Sequence, residues 1–253
     1  MTSLGTGLDI LELLARERRA LALGEIAQAL GLAKSGTHRL LATLAARGYV
    51  EHDEGGIYRL GIKTWEIGHA VPKLDLVHVA APAMEALARR LDEAAILGVR
   101  EGFHVFYPHL VESSQPVRVH ARVGDRIPAH CTSTGLCLLA HLSEEQLDAL
   151  MPAVLEPVTQ FTITDPRELK RELARVRARG HAINNGGWRA DVGGVAVPIF
   201  GPDGAVAAGL CVSAPRYRMT RAWQRRVTAA LVETAEAVSD RLARRPKPAR
   251  KRA

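Results

Sequence analysis

Lys34, Ser35, Thr37, His38 and Arg39 fall within the six-residue run KSGTHR. Two cations, two hydroxyls and an imidazole in so short a stretch can neutralise phosphate and hydrogen-bond to base edges, which is the chemistry of nucleic-acid contact. They act together only if one element presents them, and the flanking sequence supplies it. Ahead of the run, Ile26, Ala27 and Leu30 lie on one face of a short helical pattern, and Gly31 stands where a positive φ ends a helix cheaply. Leu40, Leu41 and Leu44 then form the apolar stripe of a second helix. Tyr49-Val50, the acidic stretch closing at Gly55-Gly56, and Ile57 to Leu60 read as strand, tight turn and strand. Helix, turn, helix and hairpin make a winged helix-turn-helix, whose second helix enters the major groove. Arg59 on the wing is a further candidate phosphate contact, although Glu51, Asp53 and Glu54 beside it repel phosphate. An ordinary helical hairpin with a solvated polar end is the simpler reading, but it gives no reason for the wing that follows.

Composition narrows the class. The chain has 253 residues, room for two domains, with ordinary apolar content of 47%. No apolar run approaches the roughly 20 residues that span a membrane, and MTSLGTGLDILELLARERRA lacks the basic start of a secretory signal. A cytoplasmic protein without a membrane partner is therefore expected. Cys131, Cys137 and Cys211 are odd in number and have no zinc-like spacing, as suits reduced thiols; no metal or cofactor is expected. The formal charge of +7 is misleading. Residues 241–253 hold seven Lys and Arg and no acid, so the other 240 residues carry 27 basic and 27 acidic side chains. The excess sits in a Pro-rich tail expected to be disordered, able to add salt-dependent attraction to DNA or merely to solubilise.

Taken in order, residues 8–20 read as a first helix of the DNA-binding domain and 62–71 as a connecting helix broken by Pro72. A long helix over 74–91 contains Pro82. Three strands are expected at 94–102, 103–113 and 116–124, then helices at 134–142, 143–150 and from Thr164 or Asp165 to Gly180. Strands VGGVAVPIF and AVAAGLCVS flank the turn GPDG, and a helix over about 219–244 ends the fold. The second half is thus α+β, an antiparallel sheet flanked by helices. His130 and Cys131, with Ser133 nearby, invite a nucleophile reading. Neighbours on a strand face opposite ways, however, and no G-x-S-x-G, phosphate-binding glycine loop or H-E-x-x-H is present, so no enzyme is expected.

Three stretches in this order resemble the IclR-type (isocitrate lyase regulator) transcriptional regulators: LGEIAQALGL with KSGTHRLLATLAARGYVE and YRLG, then GDRIPAHCTSTGLCLLA, then RARGHAINN with VAVPIFGPDGAVAAGLCVSAP. The resemblance implies a winged helix-turn-helix over 6–62, a linker helix over 63–73, a GAF-like effector-binding domain over 74–243 and a basic tail over 244–253. It implies dimers or tetramers on a near-palindromic double-stranded operator, and a small-molecule effector, a carboxylate by the chemistry of its pocket loop, that alters operator affinity through the linker. The pocket positions carried over are Ser133, Thr134, Gly135, Asn184, Gly194, Cys211 and Ser213. Departures are visible: Gly36 and Thr37 replace a Thr and a β-branched residue, Leu136 replaces a Lys, Asn184 replaces an Asp, and GGWRADV replaces acidic and glycine landmarks, with Trp188 as a possible aromatic wall. A C-terminal domain that only oligomerises is the alternative.

Overall fold

A computed structural model describes residues 2–69 and 74–244. The described chain forms two compact units that divide at Leu74.

The first unit begins with helix α1, Ser3–Glu17, capped by Thr2, whose hydroxyl accepts from Gly5 N–H. It starts earlier and ends sooner than the expected 8–20 helix, because Arg18 turns left-handed after Glu17. Strand β1, Leu21–Ala22, leads into α2, Leu23–Leu30. Glu25 closes the α2 start: its carboxylate accepts from Ala22 N–H at 2.8 Å and from Arg19 at 3.0 Å. Those two bonds hold the Glu25 carboxyl below its ordinary value. Gly31 ends α2 at φ 64°, and Leu32 N–H returns to Ala27 O at 2.8 Å. Helix α3, Lys34–Ala46, follows after only three residues. The wing is β2, Val50–His52, and β3, Ile57–Leu60, paired antiparallel with β1 on the far side of β3. Of its two turn glycines only Gly56 takes a positive φ. Ile10, Leu13, Leu14, Ile26, Leu41, Val50 and Tyr58 form one buried core. Leu41 is fully buried, and truncating it to Ala would cost about 2–5 kcal/mol. Helix α4, Ile62–His69, continues the chain; the rest of the expected linker helix and Pro72 lie outside the described residues, as does the basic tail from residue 245.

The second unit opens with α5, Leu74–Leu91, which runs on through Pro82. Strands β4, Ala94–Glu101, and β5, His104–Val111, form a hairpin. The third strand is β6, Arg126–Pro128, not residues 116–124. The alternation of PVRVHARVG imitates a strand, but Val117 and Val123 are exposed, and the edge of β5 is taken by β6 at His104–Phe106 and by the Gly124 and Asp125 backbone at Tyr107. Pro108, with no N–H to offer, lies just beyond that paired stretch. Helices α6, Ser133–Leu139, α7, Glu144–Leu150, and α8, Pro166–Arg179, follow, the last two capped by Ser143 and Asp165. Strand β7, Ala182–Asn185, precedes β8, Val192–Phe200, and β9, Val206–Pro215; α9 spans Arg221–Ala243.

The six strands pair antiparallel in the order β6-β5-β4-β9-β8-β7. Their alternate side chains feed two cores. Leu97, Val99, Val197, Leu210 and Val212 meet α5 and α9 on one face, while Ile96, Val105, Ala196 and Cys211 meet α6, α7 and α8 on the other. On that second face Gly98 and Gly209 oppose each other beneath α6. A Cβ on Gly98 would come within 2.5 Å of Thr134 Cγ2, and one on Gly209 within 2.9 Å. Glycine is what lets α6 lie this close to the sheet.

Candidate functional site

Helix α3 offers the first site. Its N-cap, Ala33, has no side-chain cap, so the first-turn amides and the positive end of the helix dipole face outward. Lys34, Ser35, His38 and Arg39 are exposed. Among the described residues no carboxylate lies within 4 Å of Lys34 or Arg39. By contrast Arg19 pairs with Glu25, Lys63 with Glu66, and Arg59 with Glu51 at 3.3 Å across the wing. Arg59 keeps an exposed guanidinium but shares it with an acid. Thr37 does not belong to this surface: it is fully buried and its hydroxyl donates to Ala33 O at 3.1 Å. Contrary to the expectation from its run, Thr37 is not placed to contact DNA. The helical turn that exposes Ser35 and His38 necessarily points residue 37 inward.

The second site is a cavity on the α6 face of the six-stranded sheet, about 60 Å³ as it stands and smaller than the roughly 150 Å³ that encloses a benzene ring. It is lined by Ser133 and Thr134 at the start of α6, Asn184 on β7, Gly194 on β8, and Cys211 and Ser213 on β9. These six expected positions therefore converge. Asp125 beside β6 lines the same space as Asn184 on β7. Laid flat, the two edges of six strands stand roughly 24 Å apart at about 4.8 Å per gap, so the sheet must curl to enclose it.

Gly135 is corrected: it is buried, its N–H is taken by Thr132 Oγ1 at 3.0 Å, and its Cα packs on the Ala129 backbone. Its amide cannot also serve a ligand. Other polar groups in the cavity are partly committed. Asn184 Oδ1 accepts from Gly187 N–H at 2.9 Å, Ser213 Oγ donates to Gly193 O at 2.9 Å, and Ser133 Oγ lies 3.3 Å from Cys211 Sγ. Thr134 Oγ1 is buried with no hydrogen bond of good geometry among the described residues, although the Tyr107 hydroxyl and the Cys211 thiol lie close enough to interact with it.

His130 and Cys131 sit not on a strand but in a 3-10 turn, Ala129–Cys131, and they touch, with Nε2 3.4 Å from Sγ. The expectation that they face apart is overturned. Even so, burial pushes the Cys131 thiol up to about 12 and the His130 imidazole below its ordinary value. Both shifts keep the proton on sulfur, so the pair is neutral and poorly suited to nucleophilic attack. Burial likewise raises Cys211 and the Tyr107 phenol.

Trp188 does reach the cavity wall, as expected. Arg189, Asp125, His120 and Tyr107 line it unforeseen. His120 and Asp125 were hidden by reading 116–124 as a strand. Arg189 belongs to a stretch that matched no pattern, and an Arg inside an unmatched turn was the one signal available.

The model of the IclR helix-turn-helix domain matches residues 3–54, and that of the bacterial transcriptional regulator IclR C-terminal domain matches residues 68–240. The HTH-type transcriptional regulator BhcR of Paracoccus denitrificans is 36% identical over 240 residues, covering 94% of this chain and 86% of its own. The regulator XynR of Escherichia coli is 33% identical over 214 residues, 83% of this chain and 85% of its own. Among solved structures, the Thermotoga maritima IclR superposes with a TM-score of 0.77 at 28% identity, over 95% of this chain and 98% of its own. An IclR homolog from Microbacterium hydrocarbonoxydans, complexed with 4-hydroxybenzoate, does so with a TM-score of 0.82 at 30% identity, over 95% and 99%.

Proposed function

The chain belongs to the IclR family of DNA-binding transcriptional regulators with a ligand-binding C-terminal domain, and we propose that α3 reads its operator while a small organic acid in the cavity beside Ser133 and Thr134 sets the affinity. The observation that carries the DNA assignment is the start of α3: exposed Lys34, Ser35, His38 and Arg39, no capping side chain, and no acid within ion-pair distance of either cation. Arg39 is the residue assigned to phosphate or guanine, and Arg59 contributes backbone contact from the wing. Two such helices, one per protomer of a homodimer, would occupy successive major-groove faces of a near-palindromic double-stranded site. A tetramer would pair two such dimers.

The ligand assignment draws on the convergence of Ser133, Thr134, Asn184 and Ser213 on one cavity, which must widen to admit a one-ring acid, and on the one-ring acid held by the Microbacterium relative. Regulation then requires the acid to bind one DNA-affinity state more tightly than the other. A cytoplasmic location fits this work, and no helix among the described residues is long and apolar enough to cross a membrane. Catalysis has no part in the proposal.

Arg39→Ala tests the docking. Fluorescence anisotropy on the protein's own upstream intergenic DNA, at two salt concentrations, should show affinity lowered by about 1–3 kcal/mol and a salt slope reduced by about 1 per site if phosphate is the partner. Unchanged affinity in a folded variant would mean that α3 does not dock by this end.

A further inference from the structure

The turn of residues 186–191, between β7 and β8, brings Trp188 and Arg189 to the cavity. Its backbone is fixed from several sides. Asn184 Oδ1 accepts from Gly187 N–H at 2.9 Å, Thr159 Oγ1 donates to Gly186 O at 2.6 Å, and Thr162 Oγ1 donates to Gly187 O at 2.8 Å. Arg216 donates its N–H to Asp191 O at 2.7 Å and Nη1 to Ala190 O at 3.3 Å, while its guanidinium lies 4.0 Å over the Phe161 ring. A turn held this way presents its side chains with little ordering still to be done on binding.

Trp188 is half-buried against the apolar core of that sheet face. Arg189 is exposed, and among the described residues its guanidinium has no carboxylate within 4 Å and no hydrogen-bond acceptor. The arginines on either side are occupied: Arg179 pairs with Glu172, Arg216 caps the turn, and Arg218 pairs with Glu93. Asp125, with Oδ2 accepting from Arg122 N–H at 2.9 Å, lines the same cavity. The cavity therefore holds one unpaired cation, one anion and an apolar wall of Ile96, Ile127 and Trp188.

We infer that Arg189 anchors the carboxylate of the effector, and that the effector is a monocarboxylic acid with an apolar body and a neutral hydrogen-bond donor for Asp125. This rests on reading the cavity as the effector site and goes beyond it by naming the charged anchor and excluding dianions. Guanidinium offers carboxylate a planar, two-point contact that backbone amides do not. A second carboxylate would lie near Asp125 and be repelled.

The test is isothermal titration and thermal shift on the full chain. The probes are 4-hydroxybenzoate and lactate, each beside its neutral amide, with terephthalate as the dianion. The wild type should bind one acid, bind its amide much more weakly, and bind terephthalate least. Arg189→Ala should lower the affinity for the acid by roughly tenfold to a hundredfold, down to that of the amide, with Arg189→Lys between them and ligand-free melting unchanged. Three results overturn the anchor while leaving the cavity a ligand site: Arg189→Ala keeps the acid, it loses acid and amide equally, or terephthalate binds best. If no acid or amide binds the wild type, the effector-site reading falls and takes the anchor with it.

Discussion

Replacing Gly36 by Ala should stabilise the first unit. Gly36 lies inside α3 with helical backbone angles, two residues after the start of the helix. Glycine there is less favourable than Ala by about 0.5–1 kcal/mol, because it surrenders more backbone freedom on folding. A Cβ built at the position meets nothing within 4 Å, so no clash offsets the gain. The position borders a crevice with Ser3, Thr6, Arg39 and Thr43, so stability and operator affinity are measured separately. In a unit of residues 1–74, a gain of that size corresponds to roughly 2–8 °C in melting temperature. Two units can melt separately, so amide exchange of peptides from α1 to β3 is the better assay; protection at Leu41 should rise in step with the global value. Faster exchange in Gly36→Ala would refute the reasoning. It would mean that some group needs the space which the helix geometry leaves empty.

Two further outcomes follow from the second unit. Gly98→Ala places a methyl 2.5 Å from Thr134 Cγ2 and 2.7 Å from Val105 Cγ1, overpacking that should cost about 1–3 kcal/mol; differential scanning calorimetry should show a lower melting temperature, and the thermal shift by a bound acid should shrink as α6 is pushed off the sheet. Acid should also destabilise the protein, because burial lowers the pKa of His109, His130 and His181 in the folded state. The unfolded chain then takes up protons first, so the stability present above about pH 6.5 is lost as pH falls toward the folded values. Glu93, raised by burial, works the other way at lower pH, so His130→Gln against wild type, melted at pH 7.5 and 5.5, isolates the effect. An equal pH slope in both would sink it.

Local chemistry made much of this fold legible. Gly31 after Leu30, the Gly55-Gly56 turn and the apolar runs of β4, β8 and β9 are decided by near neighbours, and the sequence carries them openly. The failures are of two kinds, an overlooked local cap and contacts that only the fold makes. Thr37 reads as a polar contact because its run is polar, yet α3 turns it into the core beneath α1. Gly135 reads as a pocket amide, yet Thr132 three residues earlier has claimed its N–H. Residues 116–124 alternate like a strand, but a strand needs a partner edge, and only Gly124 at their end bonds to the backbone of β5, at Tyr107 O. Arg189 and Asp125 lie 64 positions apart and meet only because the sheet curls. Periodicity cannot report curl.

Charge is the property in which totals mislead most. Residues 1–74 contain nine basic and eight acidic side chains, close to neutral. Four of the basic ones, Arg16, Arg19, Arg59 and Lys63, stand within ion-pair distance of an acid. Among the described residues Arg18, Lys34, Arg39 and Arg47 do not, and of these Lys34 and Arg39 share a helix of 13 residues that contains no acid. The same end carries the uncapped amides, whose dipole adds roughly half a positive charge. Charges spread over a surface are screened from one another beyond about 8–10 Å at physiological salt, so scattered residues would build no common field. Two cations and a helix terminus within one or two turns lie inside that distance and, on the proposed docking, would act on the same few phosphates. The proposed binding face of this unit thus follows from where acids are missing beside a helix terminus, and a count of its bases says almost nothing about it.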